Sequence, residues 1–292
     1  MLYDVRLELH YDYEASVHGD RHLVRVVPAS LPASQRVIAA GLTFDPRPEL
    51  ETSFTDFFGN TVTTISYEGY HDHLDVRLTA RVQVDERDQT ADLSPTLDGM
   101  RQELARIWSV DADSPHHFLA ASPRVALDPK ITEYARQSAA RTLSVQATAM
   151  DLCLAINRDF AYDTDATKVD TTPSEAFELK GGVCQDFAHV MIAGLRGIGI
   201  PAGYVSGFLR TIPPKGKERL AGADAMHAWV RVWCGKHAGW LEFDPTNAMV
   251  AGADHIVIGH GRDYSDISPI VGVLRTSGQH HTKQSVDVIS VD

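Results

Sequence analysis

The stretch GGVCQDFAH, residues 181–189, is the part of the sequence around which the rest is organised. Its two glycines permit a sharp turn, and the apolar pattern that follows predicts a helix from Cys184 to about Gly197. A cysteine in the first turn of a helix lies beside unpaired backbone N–H groups and the positive end of the helix dipole, which stabilise a thiolate. Cys184 is therefore a candidate nucleophile. The alternative is that Cys184 is a small buried apolar residue, the commoner role of a free cysteine.

The residues just before this stretch contain a helix start signal. Thr172 and Glu175 have the spacing of a capping box, and Pro173 stands at the first helical position. We therefore expect a short helix from Pro173 to about Lys180 that ends at the two glycines. This helix would deliver the chain directly to Cys184.

The N-terminal third of the sequence shows the alternation of half-buried β-strands. Residues 2–14 and 74–84 place apolar side chains at every second position, with polar ones between them. Shorter candidate strands lie near residues 22–27, 36–44 and 61–67, and proline and Gly-Asn turn signals separate them. These features predict an N-terminal antiparallel β-sandwich domain over residues 1–90.

The pattern changes to helices and then to further strands. Apolar residues follow helical spacing within residues 97–108, 131–140 and 144–159. Beyond Gly197 the candidate strands are residues 202–211, 226–234, 239–243, 271–276 and 285–291. We predict an α+β fold, with a helical linker over residues 91–125 and a domain of helices packed on an antiparallel sheet over residues 126–292.

Composition argues against several classes of function. The 292 residues include 39 acidic and 27 basic side chains, and no dense Lys/Arg run is present, so nucleic acid and anionic membranes are not expected partners. Neither a signal peptide nor an apolar stretch of membrane-spanning length is evident, and we expect a cytoplasmic protein. Three widely spaced cysteines argue against disulfides and a CxxC zinc site, so we expect no metal or cofactor. The oligomeric state is left open.

A nucleophilic cysteine needs a histidine to accept its proton, and the histidine needs a group that orients it. His189 is five residues from Cys184, which on a helix turns its side chain about 140° away, so it is rejected as the base. His227 opens a predicted strand, and Asp244 ends the next one. Both are equally distant from a point inside the glycine-bounded turn at residues 235–239. In a hairpin they would therefore be cross-strand neighbours, to within about one pair.

These residues resemble the transglutaminase-like cysteine enzymes, whose core contains Cys, His and Asp in this chain order. The matching segments are GGVCQDFAH around Cys184, AMHAWV around His227 and FDPTN around Asp244. The alternating start of the chain, the DFFGN turn at residues 56–60 and the late GRDYSD segment at residues 261–266 are similar to the bacterial branch that carries an N-terminal β-domain. The resemblance covers nearly the whole chain and implies a transglutaminase-like, papain-like core.

What the resemblance implies is a papain-like mechanism. Cys184 would attack a peptide or carboxamide carbonyl, His227 would transfer the proton, and Asp244 would orient His227. We expect a hydrolytic cysteine protease or amidase that acts on a peptide or protein substrate through an acyl-thioester. A protein-glutamine transglutaminase, in which an amine replaces water as the acceptor, is one alternative, and a non-catalytic binding module is another. Residues 210–222, rich in Pro, Lys and Gly, are the predicted mobile loop near the site.

Overall fold

The computed structural model describes residues 1–32, 34–85, 91–211, 222, 224–275 and 278–291. The strands are β1 (Leu2–Val24), β2 (Gln35–Asp45), β3 (Leu50–Thr55), β4 (Thr61–Tyr67), β5 (His71–Val84), β6 (Ala161–Tyr162), β7 (Gly181–Gly182), β8 (Ala202–Leu209), β9 (Ala225–Trp233), β10 (Trp240–Asp244), β11 (Met249–Val250), β12 (His255–Gly261), β13 (Ile270–Arg275) and β14 (His280–Ser290). The α-helices are α1 (Leu97–Leu104), α2 (Pro129–Arg141), α3 (Val145–Asp159), α4 (Pro173–Leu179), α5 (Cys184–Gly197) and α6 (Gly235–Ala238). Short 3-10 helices occur at Pro115–Phe118 and Tyr264–Asp266.

The antiparallel strands predicted for the N-terminal β-sandwich are confirmed, and their organising element is β1. The first half of β1 pairs with β5, and the second half pairs with β4. Strands β2 and β3 extend the sheet at its two ends, in the order β2-β5-β1-β4-β3. Because β1 pairs with both β5 and β4, the strand pairs β2–β5 and β4–β3 belong to one continuous sheet. Its strands share one apolar core.

The last two strands require a correction to the predicted organisation. The sequence assigns them to the second domain, but β14 pairs with the first half of β1, and β13 pairs with its second half. The physical reason is that β1 has two edges, and β5 and β4 occupy only one of them. An open edge leaves a row of backbone N–H and C=O groups unpaired. The C-terminal strands pair with those groups, whereas alternation in the sequence identifies a strand without identifying its partner.

The core contains an antiparallel sheet with strand order β11-β10-β9-β8-β12 and helices packed against it. Helix α5 is buried along most of its length and contacts α2, α3, α4 and the sheet strands β8 and β9. Its approach to α2 is close, since a Cβ placed on Gly197 would lie 2.1 Å from Oγ1 of Thr132. Within the predicted linker, α1 packs Met100 and Leu104 into the same core. The α+β character of the fold is therefore confirmed.

Two side-chain amides join the N-terminal sheet to the core. The side chain of Gln35 donates to the carbonyl of Val257 at 2.7 Å and accepts from its N–H at 2.8 Å. Asn60 makes the same pair of bonds with His260, both at 2.8 Å. Because β12 is the edge strand of the core sheet, these amides supply the hydrogen bonds that a further strand would otherwise make.

None of the described helices combines the length and the apolar character that crossing a bilayer requires. The predicted mobile loop at residues 210–222 lies mostly outside the described residues.

Candidate active site

Cys184 is the first residue of α5, at the end of a tightly constrained turn. The predicted capping box at Thr172 is present, and α4 is followed by Lys180, which adopts the left-handed conformation with φ of 51°. Gly182 has φ of 142°, and a Cβ on it would lie 2.4 Å from Oδ2 of Asp186. Only glycine therefore fits at this position.

The carboxyl group of Asp186 holds the turn against the helix. Its Oδ2 accepts the N–H of Val183 at 2.8 Å and the hydroxyl of Thr167 at 2.7 Å. Burial raises the pKa of Asp186, and the two donors favour its charged form. The turn presents Cys184 partly exposed to solvent at the N-terminus of the helix. This is the position where orphan backbone N–H groups can bind negative charge.

His227 and Asp244 meet on adjacent strands of the core sheet. Nε2 of His227 lies 2.8 Å from Oδ2 of Asp244, and both residues are buried. The strand register pairs Phe243 with Val230, so continuing it places Asp244 opposite Trp229. The pairing thus differs by two residues from a direct His227–Asp244 match. A shift of two keeps both side chains on the same face, and they remain within hydrogen-bond distance.

The structure also brings His227 to Cys184. Because Nε2 of His227 faces Asp244, Nδ1 is the ring nitrogen left for the thiol. Burial by itself would lower the pKa of His227, but hydrogen bonds to Asp244 and Cys184 raise it well above its usual range. The arrangement therefore favours a protonated imidazole beside the sulfur of Cys184.

Asp244 is fully buried and surrounded by hydrogen-bond donors. Oδ1 accepts the backbone N–H of Thr246 at 2.9 Å and of Asn247 at 3.1 Å. Oδ2 accepts the side-chain amide of Asn247 at 2.7 Å, in addition to His227. Burial alone would raise the pKa of Asp244, but its hydrogen bonds hold that pKa well below its usual range. The carboxylate is therefore charged in the folded protein at neutral pH.

His255 is a member of this cluster that the sequence did not identify. It begins β12, is buried, and places Nε2 at 3.1 Å from Oδ2 of Asp244. The only sequence signal available was its position 11 residues after Asp244, at the start of an apolar strand. Because β12 is not a hairpin partner of β10, spacing arithmetic could not place His255 beside Asp244.

The cluster contains residue types that commonly bind metal ions. Among the described residues, one group has suitable ligand atoms within 4.8 Å of one another, namely His227, Asp244 and His255. However, Nδ1 of His255 faces the N–H of Gly252 at 3.2 Å and must accept from it. A neutral histidine that binds a metal through Nε2 carries its proton on Nδ1, where it would meet that N–H. The donor pattern fits a hydrogen-bond network and does not fit a metal.

The other two cysteines and His189 are not members of the Cys184, His227 and Asp244 group. Cys153 and Cys234 are buried, and burial raises the pKa of both, to about 12 for Cys153. His189 is buried, and desolvation lowers its pKa to about 4. Its Nε2 accepts the N–H of Tyr264 at 3.2 Å.

Comparison with known families identifies two matching regions. The model of the transglutaminase-like superfamily matches residues 132–245, and the model of the bacterial transglutaminase-like N-terminal region matches residues 3–83. Cys184, His227 and Asp244 all lie within the first region.

Individual proteins are also similar to this chain. An uncharacterised protein of Mycobacterium tuberculosis (strain H37Rv) is 34% identical over 267 residues, covering 87% of this chain and 82% of the relative. A protein-glutamine gamma-glutamyltransferase of Pseudomonas aeruginosa is 37% identical over 90 residues, which is 30% of this chain and 13% of that protein. The crystal structure of a candidate cysteine protease from Cytophaga hutchinsonii has the same fold, with a TM-score of 0.76 and 21% identity over 100% of this chain and 91% of that one.

Proposed function

This chain belongs to the transglutaminase-like superfamily, with that superfamily's bacterial N-terminal region, and on this premise we propose that it is a cysteine-dependent acyl-transfer enzyme. The observation that carries the proposal is the continuous link from Cys184 through His227 to the buried carboxylate of Asp244. We assign these residues the roles of nucleophile, proton carrier and orienting group. The substrate would contain a peptide or carboxamide bond.

The first half-reaction forms a thioester. The Cys184 thiolate adds to the carbonyl carbon, and the backbone N–H of Cys184 at the start of α5 lies where it can bind the developing oxyanion. The tetrahedral intermediate then collapses as the C–N bond breaks. His227 donates the proton from Nδ1 to the leaving amine, and Asp244 keeps the ring oriented throughout.

Water is the acceptor that we propose for the second half-reaction, which makes the protein a cysteine protease or amidase. His227, now neutral, removes a proton from water as the oxygen attacks the thioester, and the released thiolate regains its imidazolium partner. Cys184 is partly exposed, so an acceptor from solvent can approach the residue. Both steps use the same three side chains and require no further group.

A primary amine is the alternative acceptor. Its support is the similarity to the Pseudomonas aeruginosa protein-glutamine gamma-glutamyltransferase over 90 residues. A transglutaminase and a hydrolase share the first half-reaction, so the site geometry alone favours neither. Incubation with a glutamine-containing peptide and a labelled primary amine separates the two. Shortened or deamidated peptide indicates hydrolysis, and covalent incorporation of the label indicates transglutaminase activity.

A non-catalytic binding module is the least favoured function. It would not require a thiol paired with a histidine whose pKa is raised. Iodoacetamide at pH 6 to 7 provides the test, because an activated thiolate is alkylated much faster than an ordinary thiol. We expect rapid modification of Cys184 and slow modification of Cys153 and Cys234. Equal, slow labelling of all three cysteines would contradict the proposed activity.

A further inference from the structure

We propose that His255 is a positioning residue of the active site, which fixes the Asp244 carboxylate by donating a hydrogen bond from Nε2. The inference rests on the proposed function, because it assigns a fourth member to the same site. Its starting point is the 3.1 Å contact between Nε2 of His255 and Oδ2 of Asp244. Both side chains are almost completely buried, so solvent does not compete for this bond.

The backbone determines where His255 carries its proton. Nδ1 faces the N–H of Gly252 at 3.2 Å, and an N–H can only donate. Nδ1 must therefore be the unprotonated acceptor, which leaves the proton on Nε2. With this tautomer, His255 is a neutral donor that points at the carboxylate. It stabilises the charge on Asp244 without adding a positive charge that would compete with His227.

The effect of this donor reaches the reacting thiol through Asp244. Oδ2 of Asp244 is shared between His227 and His255, at 2.8 and 3.1 Å. Loss of the His255 donor would make the carboxylate more basic, because one of the hydrogen bonds that favour its charged form is removed. It would also remove one restraint on the direction in which Oδ2 points. His227 would then be held less firmly in the orientation that serves Cys184.

His255 is itself held in place from three sides. Gly252 binds Nδ1, and the ring packs edge-on against the indole of Trp229 with ring centres 5.1 Å apart. Two residues further along β12, Val257 accepts a hydrogen bond from the Gln35 side-chain amide and donates its own N–H to the amide oxygen. The N-terminal sheet therefore contacts the strand that carries His255. This chain of contacts gives the N-terminal sheet a link to the active site.

The experiment compares His255→Leu with His255→Gln in the full-length protein. Leucine removes the donor, whereas the glutamine amide can place an N–H near the position of Nε2. The readout is the rate of Cys184 alkylation by iodoacetamide from pH 5 to 8, followed by peptide mass spectrometry. Thermal unfolding of each variant separates misfolding from a local effect. With a cleavable substrate, kcat and KM are measured as well.

We expect His255→Leu to slow alkylation by about 10- to 100-fold, the range for a hydrogen bond to a charged buried group. We expect kcat to fall while KM changes little, and His255→Gln to regain most of the rate. Wild-type reactivity in a folded His255→Leu variant would overturn the inference, as would equal losses in both variants. A wild-type protein with an unreactive Cys184 would instead contradict the proposed function, so the two failures are distinguishable.

Discussion

At the scale of single residues, the site depends on one buried carboxylate. Asp244 has no solvent exposure and makes close contacts with His227, His255 and Asn247. A buried charge is tolerated only when it is hydrogen-bonded on several sides, and this one is. The same bonds that keep Asp244 charged also fix the ring of His227. The same contacts therefore stabilise the buried charge and orient the imidazole of His227.

Replacement of the proposed nucleophile and of its orienting group should have different outcomes. Cys184→Ala removes the sulfur that forms the thioester, so we expect turnover to be abolished while the thermal unfolding curve is preserved. Asp244→Asn keeps the shape but loses the charge, and we expect a residual activity lower by about 10⁴-fold. Cys153→Ala is the matched control and should remain active. Near-normal turnover by Cys184→Ala would contradict the assignment.

The two pKa shifts predict how stability depends on pH. Asp244 has a lowered pKa, so its stabilising effect is present above the ordinary value of 3.8 and is lost as pH falls towards its native pKa. His227 has a raised pKa, so its contribution is complete below 6.5 and is lost as pH rises through its native value. We therefore expect wild type to exceed Asp244→Asn in free energy of unfolding by the largest amount between about pH 4 and 6.5. Urea titrations at pH 3, 5, 7 and 9 measure it, and a difference independent of pH would exclude this coupling.

At the scale of elements, the turn before α5 is the most constrained segment near the site. Gly182→Ala would introduce a Cβ at 2.4 Å from Oδ2 of Asp186, in a backbone conformation with φ of 142°. We expect a loss of about 1–3 kcal/mol in the free energy of unfolding from backbone strain alone, and slower alkylation of Cys184. Gly41→Ala is the control, because its new Cβ would make only an ordinary contact at 3.4 Å. Equal stability of the two variants would show that the turn adapts.

Whether an element could be predicted from the sequence depends on how far apart its contacting residues are in the chain. The capped helix α4, the start of α5 and the β9–β10 hairpin depend on contacts that are local in sequence, of which His227 to Asp244 is the longest, so pattern and spacing were sufficient. Even the error of two residues in the hairpin register left His227 and Asp244 on one face. His255 and the pairing of β14 with β1 depend on contacts between distant segments. Alternation fixes which side chains are buried but does not encode the partner strand, so these features required the structure.

At the scale of the whole molecule, β12 connects the two parts of the chain. Its first residue, His255, contacts Asp244, while Val257 and His260 bind amides from the N-terminal sheet. After β12 the chain returns to the N-terminal sheet, where β13 and β14 pair with β1. The N-terminal sheet therefore contacts the core through β12, and also through β14, which lies against β8 and β9.

Gln35→Leu tests this connection. The variant loses two buried hydrogen bonds to Val257 and leaves the Val257 N–H without its acceptor, whereas the carbonyl keeps the N–H of Ala29, so we expect a loss of about 1–3 kcal/mol in the free energy of unfolding. Because Val257 is two residues from His255, alkylation of Cys184 should also slow under conditions where the variant is fully folded. Asn60→Leu is the matched control, since it breaks the same type of pairing at His260, five residues from His255. It should destabilise the protein by a similar amount with a smaller effect on the thiol. Equal thiol reactivity in both variants would mean that the N-terminal sheet stabilises the core without positioning His255.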